Sequence, residues 1–139
     1  MEIIAIVVTY NRLSLLKESI NALLNQTRPL NKIIIVDNHS TDGTSDYLAN
    51  LANENNIFQI VTMEQNVGGS GGFSEGVKQA ACAHADWMWL MDDDTIPQED
   101  ALERLLPFTS VDKVGFVCSK VIWIDIIIHK TNILLAFIV

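Results

Sequence analysis

The feature that most constrains this chain is a fourfold recurrence, in which a short β-rich run stops abruptly at a cluster of polar groups or glycines. Residues 3–8, 33–36, 57–63 and 87–91 form the runs, and uninterrupted apolar runs of this length read as strands buried on both faces. Between them, apolar residues recur at helical spacing: Leu13, Leu16, Ile20, Leu23 and Leu24, then Tyr47, Leu48, Leu51 and Ala52, then Phe73, Val77, Ala80 and Ala81. Asn11 reads as the cap of the first helix and Pro29 as its stop. After the fourth run, Pro97 suits a first helical turn, Glu99 and Asp100 suit the positive helix end, and Ala101, Leu102, Leu105 and Leu106 supply a buried stripe. Residues 114–119 read as a fifth strand. This alternation predicts an α/β fold with a mostly parallel sheet, helices on both faces and right-handed crossovers. The loops after Val8, Val36, Met63 and Met91 then gather along one sheet edge, where open α/β sheets place their ligands.

A chain of 139 residues, 49% of them hydrophobic, can bury a sizeable core and is the size of one domain. Nine basic against seventeen acidic residues give a net charge of −8, which disfavours a nucleic-acid partner. Cys82 and Cys118 lack metal-type spacing and read as buried free thiols in a reducing compartment. The N-terminus has no basic region or small-residue cleavage site, so a cytoplasmic location is expected. No apolar segment reaches the roughly 18 residues that span a bilayer. Residues 121–139 come nearest but are broken by Asp125, His129 and Lys130, which leaves open an interfacial role at a membrane surface or packing against a partner protein. Residues 1–120 therefore read as the organised part of one domain and residues 121–139 as its incomplete continuation, because a terminal apolar run at 133–139 needs something to cover it.

The strand ends carry the chemistry. Thr9-Tyr10-Asn11-Arg12 offers a hydroxyl, an aromatic face, an amide and a guanidinium, suited to a planar base and a charged group, although taken alone it is better explained as a capped helix start. Asp37 could accept from a base or from ribose hydroxyls, or could close an Asx-type turn. Gly68-Gly69-Ser70-Gly71-Gly72 has neither dinucleotide-binding nor P-loop register, but a glycine loop ahead of a helix lets backbone approach a ligand closely. Asp92-Asp93-Asp94 concentrates like charges that need a cation or donors, and oxygen-rich sites suit Mg²⁺ or Mn²⁺; an acidic turn ahead of a helix is the simpler alternative. His39, His84 and His129 are too scattered for zinc, and no nucleophile elbow for Ser/His/Asp catalysis is present.

Taken together, Val7-Val8-Thr9-Tyr10-Asn11-Arg12, Val36-Asp37-Asn38-His39-Ser40-Thr41-Asp42-Gly43-Thr44 and Asp92-Asp93-Asp94 resemble the successive motifs of the inverting family 2 glycosyltransferases. Asn66-Val67-Gly68-Gly69-Ser70-Gly71-Gly72-Phe73 and the Trp-x-x-Met-Asp-Asp-Asp element resemble the galactofuranosyltransferase and rhamnosyltransferase-like branch. The resemblance covers residues 3–120 and implies a GT-A fold, a Rossmann-like three-layer α/β/α arrangement that binds a nucleotide-diphospho-sugar. It implies that Thr9, Tyr10, Asn11 and Arg12 line the nucleotide site, that Asp37 contacts the uracil, and that Asn66, Gly68 and Gly69 lie against the donor, with Asp92 and Asp93 in the same set. Asp92 and Asp94 would be the metal pair for Mn²⁺ or Mg²⁺, Asp94 a direct ligand and Asp92 nearer the ribose or a metal-bound water. The implied activity is transfer of a sugar from a UDP- or dTDP-sugar to a glycan or lipid-linked acceptor, at the cytoplasm or the inner membrane face. The family's general base lies beyond the acid triplet, and neither Asp112 nor Asp125 sits in a recognisable context for it. The resemblance thus points to the donor-binding part of a transferase, either within a longer enzyme or as a silent binding module. A nucleotidyltransferase is disfavoured, since it would carry a basic glycine-rich loop after its first strand.

Overall fold

The computed structural model describes residues 1–119 and 136–138. In chain order the elements are β1 (Ile3–Thr9), α1 (Leu13–Leu24), β2 (Lys32–Asp37), α2 (Thr44–Glu54), β3 (Phe58–Thr62), α3 (Gly68–Cys82), β4 (Trp87–Asp92), α4 (Ala101–Thr109), β5 (Val117–Ser119) and β6 (Ala136–Ile138). They build one sheet in the order β3-β2-β1-β4-β6-β5. β1 pairs in parallel with β2 and β4, and β2 with β3, whereas β6 runs antiparallel to both β4 and β5. Every residue of β1 is buried, as its uninterrupted apolar character requires of a central strand.

The strand order explains which face each helix covers. The chain steps outward from β1 to β2 to β3, and α1 and α2 pack on one face with α4: Leu16, Ile20, Leu23, Leu48, Leu102 and Leu105 join Ile3, Ala5, Val7, Ile33, Ile35 and Trp89. The return from β3 to β4 reverses direction, so α3 covers the opposite face against Ile4, Ile6, Val8, Ile34 and Val36. The reversal makes the β1/β4 junction the topological switch point of the sheet, and Val8 stands opposite Asp92 in that ladder.

Several expected boundaries move. The glycine run is not a loop before the third helix but its first turns, because α3 starts at Gly68. Gly72 and Gly76 are needed there by contact: a Cβ on Gly72 would stand 2.6 Å from Val8 Cγ1, and one on Gly76 would collide with Ile6 Cγ2. Pro97 precedes α4 rather than opening it. The helix start is set from the turn that follows α1, where Gln26 donates to Gln98 O (2.8 Å) and accepts from the N–H of Leu102 (3.0 Å). β5 is shorter than expected, starting at Val117. Both cysteines are free but exposed rather than buried. Cys82 ends α3 on the side away from Gly72, Gly76 and Ala80, which face the sheet, and Cys118 alternates with the partly buried Val117 and Ser119. Of the terminal apolar run, residues 136–138 lie in the sheet between β4 and β5; the expected strand-like stretch at 121–128 falls outside the described residues. Among the described residues, no helix is long and apolar enough to cross a membrane.

Candidate nucleotide-sugar site

A cavity of about 410 Å³ opens over the carboxyl ends of β1 and β4, lined by Val8, Thr9, Tyr10, Arg12, Asn38, Asn66, Gly68, Gly69, Asp92, Asp93 and Asp94. The three carboxylates have different surroundings. Asp93 is turned into the protein, where its Oδ2 accepts from the buried Thr9 hydroxyl at 2.7 Å. Its Oδ1 faces Arg12 Nη1 at 3.4 Å, and the same nitrogen donates to Asp94 Oδ2 at 2.9 Å. Asp92 and Asp94 are the two that keep access to the cavity with no buried partner, and hard cations that bind nucleotide phosphates take one or two carboxylates from the protein. Among the described residues no group of three or more His, Cys, Asp or Glu side chains could hold an ion alone. An ion held by Asp92 and Asp94 would have to take its remaining ligands from phosphate or water.

Burial raises the pKa of Asp92, the neighbouring charges of Asp94 and Asp93 raise it further, and Arg12 opposes them. Burial also raises Asp93, against the pull of the Thr9 hydroxyl and Arg12. A carboxyl that is harder to ionise in the folded state costs no stability where both states are protonated. Its penalty sets in as pH rises past the ordinary carboxylate value and is complete above the raised folded value. Asp92→Asn is therefore expected to raise the melting temperature at pH 7 and to have no effect once pH falls below about 3.9. Thermal melts across that range check this; an unchanged or lowered melting temperature at pH 7 contradicts it.

The loops that carry the site are tied to each other. Asn11 adopts a left-handed backbone with φ 53°, its N–H donates to Ser40 Oγ (3.0 Å), and its Oδ1 accepts from the N–H of Thr41 at 2.7 Å. Asn11 is therefore not the cap of α1 and does not line the cavity, because its amide is spent on the neighbouring loop. The cap comes from Asp42, whose Oδ2 accepts from the N–H of Leu13 (3.1 Å) while Oδ1 accepts from the N–H (3.1 Å) and hydroxyl (2.6 Å) of Thr44. One carboxylate thus serves the starts of α1 and α2, and the Thr44 hydroxyl foremost among these donors lowers its pKa.

Asp37 is also placed differently from expectation. It is fully buried at the end of β2, where Oδ1 accepts from the N–H of Ser40 (3.0 Å) and Oδ2 from the Ser45 hydroxyl (2.5 Å). It is absent from the cavity lining, so the turn reading describes its position, and contact with a base would need these serines to release it. The next residue does reach the cavity. Asn38, itself buried, accepts from the N–H of Val67 (3.1 Å) and donates to Gly68 O (2.9 Å), fixing the start of α3 against β2. Its signal in the sequence was only its place after a strand end. Gly68 has φ +74°, a conformation that side chains disfavour, and a Cβ on Gly69 would meet nothing within 4 Å.

The family model described as Glycosyl transferase family 2 matches residues 4–132. This chain belongs to glycosyl transferase family 2. Galactofuranosyltransferase GlfT1 of Mycolicibacterium smegmatis is 33% identical over 132 residues, which is 87% of this chain and 39% of that protein. GlfT1 of Mycobacterium tuberculosis is 36% identical over 97 residues, 70% of this chain and 32% of that protein. The chain thus spans well under half the length of these family 2 relatives. Among solved structures, the mannosyltransferase PcManGT from Pyrobaculum calidifontis, in complex with GDP-Man and Mn²⁺, matches with a TM-score of 0.71 and 25% identity over 86% of this chain and 35% of its own. S. aureus TarS 1-349 matches with a TM-score of 0.64 and 28% identity over 75% of this chain and 31% of its own. The fold is the GT-A type shared by such family 2 enzymes, as the resemblance implied.

Proposed function

We propose that this family 2 chain is the donor-binding half of a metal-dependent, inverting glycosyltransferase. It takes a nucleoside diphosphate sugar, UDP- or dTDP-linked, for transfer to a glycan or lipid-linked acceptor. The observation that carries this reading is the convergence of Thr9, Tyr10, Arg12, Gly68, Gly69 and the Asp92-Asp93-Asp94 turn on one cavity at the sheet's switch point. The nucleotide sugar and Mn²⁺ held by PcManGT support the ligand class. Asp92 and Asp94 would hold Mn²⁺ or Mg²⁺, which when bound supplies Lewis-acid charge against the diphosphate leaving group. Arg12 adds a second positive charge, without which a cavity holding three carboxylates would repel a diphosphate. Tyr10, exposed at the rim, offers a ring to the base, and the bare backbone at Gly68 and Gly69 lets the donor lie close. Thr9 acts indirectly by holding Asp93.

Inversion needs a base that takes the acceptor proton, and that role belongs to a segment C-terminal to the donor half. Residues 1–120 are accordingly the donor-binding part and 121–139 a continuation of the same domain, with action at the cytoplasm or inner membrane face. The share of each relative that the chain spans favours a second reading of the isolated chain: it binds donor without transferring sugar. Calorimetric titration with UDP, dTDP and GDP tests the core claim. Mn²⁺ is expected to strengthen binding of the preferred diphosphate by about tenfold or more, equivalent to about 1.4 kcal/mol. Equal affinity with and without the ion would sink the metal-dependent reading.

A further inference from the structure

Arg12 occupies a position that local rules disfavour. It is the N-cap residue of α1, at the positive end of the helix dipole, where an anion is favoured and a cation is not, and no acidic residue in the first turn offsets it. A residue that breaks a local rule needs a reason elsewhere in the fold. Among the described residues it is the only basic side chain lining the cavity, and it spans two carboxylates of unequal accessibility. The Asp93 side chain is 5% exposed and Asp94 33%, while Arg12 itself is 52% exposed. The base of the Arg12 side chain is fixed, since Asn11 is held by Ser40 and Thr41 and the N–H of Leu13 by Asp42. The guanidinium end can move, while its start is pinned beside the acid turn.

We propose that Arg12 is an exchangeable internal counter-ion. With no cation bound it neutralises Asp93 and Asp94 together. It then gives up Asp94 to a divalent cation, keeps its place beside Asp93, and turns its freed N–H groups to the phosphates of the nucleoside diphosphate. The inference rests on the metal-dependent reading above and goes beyond it by making ion binding and Arg12 release a single event. The geometry suits the exchange. The stronger contact, at 2.9 Å, is to the accessible Asp94, whereas Asp93 keeps its Thr9 hydroxyl bond whether or not Arg12 stays. A planar guanidinium with five donors can serve carboxylate and phosphate in turn, which a single-point ammonium does less well.

The test is a titration of the purified chain with Mn²⁺ alone, followed by electron paramagnetic resonance, comparing wild type with Arg12→Met. Removing a competing unit charge beside a partly exposed site should tighten Mn²⁺ binding by roughly three- to tenfold. In the presence of UDP the same variant should lose most of the gain in nucleotide affinity that Mn²⁺ gives wild type. If wild type binds Mn²⁺ and Arg12→Met binds it no more tightly, the role of Arg12 is overturned and the metal site stands. If wild type binds Mn²⁺ only when UDP is present, the ion alone does not release Arg12 and the exchange is overturned while the metal site stands; if it binds none even with UDP, the metal-dependent reading falls and the exchange with it. Should Arg12→Met fail to fold, nuclear magnetic resonance of the wild-type Arg12 Nε–H during a Mg²⁺ titration decides the matter. A saturable shift supports the exchange, and an unmoved resonance in a protein that binds the ion overturns it.

Discussion

Asp94→Ala is expected to abolish the gain in nucleoside diphosphate affinity that Mn²⁺ confers, with little change in melting temperature. Asp94 stands at the open side of the acid turn, a third exposed, and its hydrogen bond comes from an Arg12 that is itself half exposed. Exposed ion pairs of this kind contribute about 0–1 kcal/mol, so the fold should not miss it. The ion would miss it, because Asp92 is the other carboxylate of the turn with no buried hydrogen-bond partner, Asp93 being held by Thr9. Loss of the metal-dependent increment should therefore reach tenfold or more, about 1.4 kcal/mol. Metal-free affinity should rise, since Arg12 loses a competitor for the phosphates. Asp93→Ala is the informative contrast. Its carboxylate is buried and takes the Thr9 hydroxyl, and removing a buried acceptor costs about 1–3 kcal/mol. Asp94→Ala should act on binding and Asp93→Ala on stability. Calorimetry and thermal melts on the two variants separate them; a melting temperature that falls further for Asp94→Ala than for Asp93→Ala would contradict this division of the turn.

The parts of this molecule that were legible in the sequence are those in which local pattern and global position agree. Ile3 to Val8 reads as a central strand because burial on both faces leaves no room for alternation, and in the fold every residue of β1 is indeed buried. The strand ends were legible for the same reason: a parallel sheet has to put the loops after β1, β2 and β4 on one edge, so Thr9, Arg12 and Asp92 to Asp94 meet without any local signal that they should. The features that stayed hidden depend on pairing between loops distant in sequence. Asp42 lies in the loop after β2, and part of its function is to cap a helix that begins 29 residues earlier. Asn38 joins β2 to the start of α3, 29 and 30 residues on. Asp37 had two readings that sequence could not separate, because a carboxylate at a strand end serves a turn or a ligand equally well; the serines that enclose it decide its position. The glycine run was misread as a loop because glycine is the weakest ordinary helix former, so propensity argued against α3 beginning where it does. The overlooked signal was spacing. Gly72, Gly76 and Ala80 recur every fourth residue, which lines up small side chains on one helix face, and these three are the buried residues of α3.

That stripe carries the second large expectation: Gly76→Val should destabilise the protein severely and weaken nucleotide binding with it. A Cβ at this position already collides with Ile6 Cγ2 and lies 3.3 Å from Val36 Cγ2, and both residues are themselves fully buried in central strands that cannot retreat. Alanine would gain about 1 kcal/mol of helix propensity against about 1–3 kcal/mol of overpacking, so Gly76→Ala should be mildly destabilising or near neutral. Valine adds two more methyl groups and a stiff β-branch, which moves the balance to about 3 kcal/mol or more against folding. At roughly 2–8 °C per kcal/mol for domains of this general size, the melting temperature should fall by about 6 °C or more. The binding effect comes from rigidity. The same helix begins at Gly68 and Gly69 on the cavity wall, and Asn38 ties that start to β2, so lifting α3 from Ile6 displaces the wall or breaks the tie. Gly69→Ala is the control. Its added methyl meets no protein atom within 4 Å, so the fold should be unharmed or slightly stabilised, and any loss of nucleotide affinity would come from the methyl group standing in the cavity. Thermal melts and UDP titrations of the three variants distinguish the effects. A Gly76→Val protein that melts like wild type would show that α3 does not need to approach the sheet this closely, and close packing would have to be abandoned as the reason the glycines stand where they do.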